Sequence, residues 1–324
     1  MSNYELREWI PFDKINFKNL SKNKNAISIL EKNKDKINWS NLSMNPEAIH
    51  MFTEINNIFS TEIYFEIVEN MAFIDWFRFC DNPNCVNWIE ILLEKNYFGY
   101  MNSEWCFLSR NTNPEAINIL KKFPNKINWF WLSTNPNAID ILEKNPNKID
   151  WKHLSQNPNA IHILEQNPDK IDWNLLSMNP NAIPLLEKNP DKIVWKSLAK
   201  NPSAIPMLEN HLFNNIEIYY WYEAIYLECL AMNPNPEIVP LFYRFLNENY
   251  NWIDPHSMEE KMKRIDCNTL FNLANNKNNP GAIKIIEDIV YLLGIDYLIT
   301  KMNDDFWNVL SENPHIFVEW NGMK

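Results

Sequence analysis

Asn157-Pro-Asn-Ala-Ile-His-Ile-Leu-Glu-Gln-Asn-Pro-Asp-Lys-Ile-Asp-Trp-Asn-Leu-Leu-Ser-Met178 is the stretch from which the fold is read. It runs for 22 residues and then begins again at Asn179 and Asn201, and it is preceded by like copies at Asn135 and Asn113. Trp129, Trp151, Trp173 and Trp195 are 22 residues apart, as are Leu132, Leu154, Leu176 and Leu198. Phe17 to Trp39 and Leu20 to Leu42 keep the same 22-residue step. Fourteen of the twenty prolines follow an Asn, so Asn-Pro punctuates the array. Degenerate copies carry Trp76 with Phe79, Trp105 with Leu108, Leu227 with Leu230, Cys267 with Leu270 and Trp307 with Leu310. The count is about eleven repeats, and a period of this length marks a repeat architecture.

Each repeat reads as two short helices. Ala160, Ile161 and Leu164 form an apolar stripe at helical spacing. Pro184 and Pro206 would break a helix interior, but they sit in the first turn if Asn181 and Ser203 are the N-caps. The first helix therefore starts at Ala182 and Ala204, and by analogy at Ala138 and Ala160, and the second Asn-Pro stops it. Asp150, Asp172, Asn128 or Asn38 then caps a second piece of about six residues that holds Trp and Leu and is 3₁₀ in part. Such a repeat must stack on its neighbours to bury its stripe. The predicted fold class is all-α: an α-solenoid of either hand, each repeat being one helix plus a short α/3₁₀ element. The whole of 1–324 is read as one repeat domain. Within it, 1–36 is an N-terminal cap, 20–52 and 105–209 are regular, and 53–104 and 210–324 are degenerate, with aromatic-rich inserts that lengthen helices.

Composition excludes several function classes. Asp plus Glu number 41 against 30 Lys plus Arg, a net charge of −11, which disfavours nucleic acid as a partner. The four glycines, Gly99, Gly281, Gly294 and Gly322, cannot write a Gly-x-Gly-x-x-Gly or a P-loop. No apolar run is long enough for a membrane span, and the opening Met1-Ser2-Asn3-Tyr4-Glu5 does not resemble a signal peptide. Cys80, Cys85, Cys106, Cys229 and Cys267 read as reduced thiols rather than a metal site, because no second close pair follows Cys80 and Cys85. No cofactor and no metal is expected.

The repeat, written Asn-Pro-x-Ala-Ile-x-x-Leu-Glu-x-Asn-x-x-Lys-Ile-x-Trp-x-x-Leu-Ser, resembles the short-repeat proteins encoded in quantity by giant nucleocytoplasmic DNA viruses, mimivirus-like ones included. The resemblance is close over 20–51 and 105–209 and loose elsewhere, and the abundance of Asn, Ile and Lys agrees with it. The repeat is also similar to the bacterial leucine-rich-variant repeat of alternating α and 3₁₀ helices. The cysteine-ligated cluster of that family has no counterpart in this sequence. The resemblance implies a viral solenoid located in the infected host cytoplasm, a viral factory or the virion, and it implies no activity.

No catalytic constellation is read. His50 and His162 share a slot that holds Pro184 in another repeat, so they are taken as surface variation. The regular Glu143, Glu165, Glu187 and Glu209 form either an acidic strip for a basic partner or a solvated helix edge near Lys148, Lys170 and Lys192. Eight of the fourteen tryptophans hold one repeat position. As no Arg interleaves them, they are read as core rather than a stacking platform. Trp151, Trp173 and Trp195 are expected to be mostly buried, beside Ile149, Ile171 and Ile193.

Two aromatic features remain. The two residues after each Trp vary: Phe130 and Trp131, Lys152 and His153, Asn174 and Leu175, Lys196 and Ser197. The shorter helix of a stacked pair belongs on the inner, concave side, so these positions are expected to project there and meet a partner; drift of exposed sites is the alternative. The insert containing Tyr219, Tyr220, Trp221 and Tyr222 holds more rings than one helix face can bury, and it either meets a partner or packs under another insert. The functional expectation is a non-enzymatic interaction scaffold for a viral or host protein. The alternative is a self-assembling structural component of the virion, with a homo-oligomer possible.

Overall fold

The structure is a computed structural model that describes residues 4–48, 50, 51, 76–86, 89, 90, 93, 103–214, 223–249, 262, 263 and 265–319. The described chain is all-α apart from one antiparallel pair of three-residue strands, Tyr4–Leu6 and Phe317–Glu319, in which Glu5 faces Val318. It divides into two compact units: a continuous one, 17–172, and a split one, 1–16 with 173–324. The same repeat builds both.

A regular repeat contains two α-helices and one or two 3₁₀ turns. In the copy after Asn135, a 3₁₀ turn at Pro136–Ala138 leads into the helix Ile139–Lys144, and a second 3₁₀ turn at Pro146–Lys148 leads into the helix Trp151–Leu154. The first helix begins one residue later than the caps suggest, at Ile183 and Ile205, so Pro184 still falls in the first turn, where no intrahelical N–H is lost. The 3₁₀ component lies at the Asn-Pro segments, while the Trp-Leu piece is α-helical. Its predicted caps are in place: Asp150, Asn128 and Asn38 accept from the backbone N–H of His153, Trp131 and Asn41. In the inserted repeats the first helix lengthens, to Ile238–Asn249 and Pro280–Leu293; the latter ends at Gly294, whose φ of 82° suits a residue without Cβ.

The apolar core of each unit is made of small and branched side chains. Leu132, Leu154, Leu176 and Leu198 are fully buried, as are Ala138, Ala160, Ala182 and Ala204 and the helix-one leucines Leu142, Leu164, Leu186 and Leu208. Of the expected stripe Ala160, Ile161 and Leu164, the first and last are buried, while Ile163 takes the buried place expected of Ile161, which is half-buried. The tryptophans are less enclosed than the leucines: Trp129, Trp151, Trp173 and Trp195 are half-buried, and Ile193 with them, while Ile149 and Ile171 are buried, as are Trp105 and Trp307 at the same repeat position. On the four-residue helices Trp151–Leu154 and Trp195–Leu198, one ring face of the Trp is covered by a neighbouring side chain. Lys170 Nζ stands 4.3 Å from the centre of Trp151, and His211 stacks on Trp195 at 3.5 Å with the planes 3° apart. Trp151→Ala is therefore expected to cost about 1–2 kcal/mol, below the ~3–5 typical of a fully buried Trp, as read by chemical denaturation.

Repeats are also joined by polar bonds. The asparagine of the first Asn-Pro is buried, and its amide spans two carbonyls of the preceding repeat. Asn157 Nδ2 donates to Ser133 O at 3.0 Å and Asn135 O at 2.9 Å, while its Oδ1 accepts from Asn159 N at 3.0 Å. Asn45, Asn82, Asn111 and Asn135 make the same pair of bonds in the continuous unit. Asn201, Asn233, Asn276 and Asn313 make it in the split unit. Such an amide uses both donors and one acceptor, which is what allows it to be buried. The ladder also corrects one register. Asn313 bonds Ala274 O and Asn276 O, which puts Leu273 in the place of Leu154 and Leu270 in that of Trp151. The exposed Cys267 lies outside the Trp position assigned to it from the sequence.

Candidate interaction surface

Among the described residues of the regular repeats, the helix Trp129–Thr134 carries the most exposed aromatic. Phe130 is 41% exposed, its ring 4.9 Å from Trp131 in a T-shaped contact and 3.8 Å from the imidazole of His153 in the next repeat. Trp131 is half-buried beneath Arg110, whose guanidinium lies 5.0 Å from the indole centre and 5.1 Å from Phe107. Arg110 is held there by Asp81, with Nε 2.6 Å from Oδ1 and Nη2 bonded to Oδ2. Phe107, Arg110, Trp131, Phe130 and His153 thus form one surface across three repeats of the continuous unit, with Lys152 exposed beside it.

Arg110 and Phe107 were missed in the sequence reading. The signal was available: Arg110 occupies the position held by Thr134, Gln156 and Met178 in other repeats. His153 is fixed by Asp150, whose Oδ1 is 2.9 Å from Nδ1. Burial works against the Asp150 charge, but the hydrogen bonds from the backbone and ring of His153 outweigh it and hold the carboxyl below its usual range.

The remaining candidates divide. Asn174, Leu175 and Lys196 lie in the split unit, with Asn174 and Lys196 exposed and Leu175 half-buried. Ser197, expected to project outward, is buried and donates to Asn174 Oδ1 at 2.5 Å. In both units, then, the residue after one Trp touches the second residue after the next: Phe130 meets His153 and Asn174 meets Ser197. Part of the variation at these positions is repeat-to-repeat pairing. Tyr219, Tyr220, Trp221 and Tyr222 lie outside the described residues.

The acidic edge is also paired across repeats. Glu31 meets His50 at 3.2 Å and Glu143 meets His162 at 2.9 Å, and Glu209 takes Arg244 at 2.6 Å rather than a lysine of the Asn-Pro-Asp-Lys turn. Pairs this exposed add little stability. No disulfide joins Cys80, Cys85, Cys106, Cys229 or Cys267, and burial drives the Cys85 thiol far above its usual range. Among the described residues no group of three or more His, Cys, Asp or Glu is placed to hold a metal ion, and no helix is long and apolar enough to cross a membrane.

Fold and surface together define the class: an all-α repeat protein with an exposed aromatic patch. No protein family, curated protein or solved structure matches this chain.

Proposed function

We propose that the chain is a non-enzymatic scaffold, an α-solenoid of viral origin, that binds a protein partner in an infected cell or virion through the surface around Phe130. The observation that carries this reading is the exposure of Phe130 on a floor of fixed side chains. An aromatic anchor preorganised by Trp131, His153 and Arg110 loses little freedom on binding, and large exposed rings mark interfaces. Lys152 adds an exposed cation at the rim. Four of the described histidines have a packing or ionic partner: His50, His153 and His162 face carboxylates and His211 stacks on Trp195.

Phe130→Ala, alone and with Trp131→Ala, tests the reading. The single variant is expected to melt with wild type, within about 0.5 kcal/mol. The double variant should keep its far-UV circular dichroism yet bind a partner captured by wild type roughly 30-fold more weakly, the equivalent of about 2 kcal/mol. Undiminished binding by the folded double variant would remove this surface from consideration.

A further inference from the structure

One backbone bond recurs where a repeat receives its successor. The hydroxyl of Ser21, Ser109, Ser133, Ser155 and Ser177 accepts the N–H of Asn38, Asn128, Asp150, Asp172 and Val194, at 3.0 to 3.1 Å. Val194 keeps this bond although its side chain cannot cap, so the bond belongs to the backbone and not to the cap. In the repeat of Trp307 and Leu310, the equivalent serine, Ser311, accepts the N–H of Asn16 at 3.0 Å. Alongside, Asn16 Nδ2 donates to Oδ1 of Asn308, the residue after Trp307, at 2.5 Å. Ser197 treats Asn174, the residue after Trp173, in the same way.

The rest of the segment is fastened to the same repeat. Its strand Tyr4–Leu6 pairs with Phe317–Glu319. Arg7 gives its backbone N–H to Ile316 O and its Nε to His315 O, both at 2.9 Å, and its Nη1 lies 3.0 Å from Glu287.

We propose that residues 4–16 are a built-in stop for head-to-tail stacking. They seat on the repeat of Trp307 in the manner of a following repeat, so that a second copy of the chain finds this face taken. The physical case rests on what a repeat face is: it carries unmet acceptors and a stripe complementary to the next repeat. Left open, such a face joins molecules through a heterologous contact that propagates. The segment supplies the N–H for Ser311, the amide for Asn308 and a strand for Phe317–Glu319.

The test compares full-length wild type with two variants by sedimentation velocity over a roughly hundredfold range of concentration, since weak self-association appears only at the upper end. Arg7→Glu sets a carboxylate against Glu287 and removes the bond to His315 O, which releases the segment. Glu5→Cys with Val318→Cys joins facing residues of the two strands by a disulfide, in a Cys267→Ser background to remove an exposed thiol. Wild type and the oxidised double-cysteine protein are expected to keep one mass throughout. Arg7→Glu should at least double its weight-average mass at the top of the range, and the disulfide introduced into Arg7→Glu should abolish the increase. Should Arg7→Glu lose its circular dichroism, Arg7→Gln is read by the same measure. A constant mass in the released variant, or an increase that persists with the disulfide closed, overturns the proposal.

Discussion

Asn157→Asp is expected to cost about 2–6 kcal/mol at neutral pH, reckoned from ~1–3 kcal/mol for each of the two buried acceptors that lose their donor. The asparagine is fully buried and gives its two amide hydrogens to Ser133 O and Asn135 O. Aspartate keeps the shape and the acceptor for Asn159 N but turns an oxygen toward two carbonyl oxygens. The penalty should have a pH signature. Burial beside acceptors raises the carboxyl's folded pKa above its unfolded value, so the folded state binds the extra proton and stability is regained as pH falls through the raised value. The gap between Asn157→Asp and wild type should narrow on acidification, whereas that of Asn157→Ala should not. Urea denaturation at several pH values measures both.

Leu154→Ala should cost about 2–5 kcal/mol, the range for truncating a fully buried leucine. Leu154 ends the same four-residue helix that Trp151 begins, yet the smaller side chain is the one without solvent contact. Denaturant midpoints should rank Leu154→Ala below Trp151→Ala. The reverse order would place the Trp row in the core after all.

The periodic apolar positions were legible because their spacing is forced: Leu154, Ala160 and Leu164 recur at helical intervals, and each is buried. Capping was equally legible, since Asp150 precedes a helix whose first N–H groups need an acceptor. Asn157 was harder to read. Asn-Pro has an obvious local meaning as a turn, and that reading accounts for the Oδ1 bond to Asn159 while leaving the two Nδ2 bonds unseen. A hint lay in Asn23-Lys24 and Asn276-Lys277, where the asparagine stays and the proline does not. The depth of each tryptophan was not legible, because it goes with helix length: Trp105 and Trp307, on helices of eight and nine residues, are buried, while Trp151 and Trp195, on helices of four, are half-buried. The exposure of Phe130 was anticipated from Lys152 and Lys196 at equivalent positions, whereas its contact with His153 depends on the stacking offset, which no single repeat encodes.

The central claim is that, within each unit, the buried asparagine ladder, more than the Trp row, ties a repeat to the one before it. Amide hydrogen exchange of the intact protein, followed peptide by peptide, tests this most directly, with Asn157→Asp compared against Asn159→Asp. Asn159 also bonds the preceding repeat, through Nδ2 to Pro136 O at 2.9 Å, but at an exposed site. The ladder account predicts faster exchange on both sides of the lost bond, over 132–139 and 154–164, for Asn157→Asp and near-native protection for Asn159→Asp. Equal protection in the two variants would contradict it.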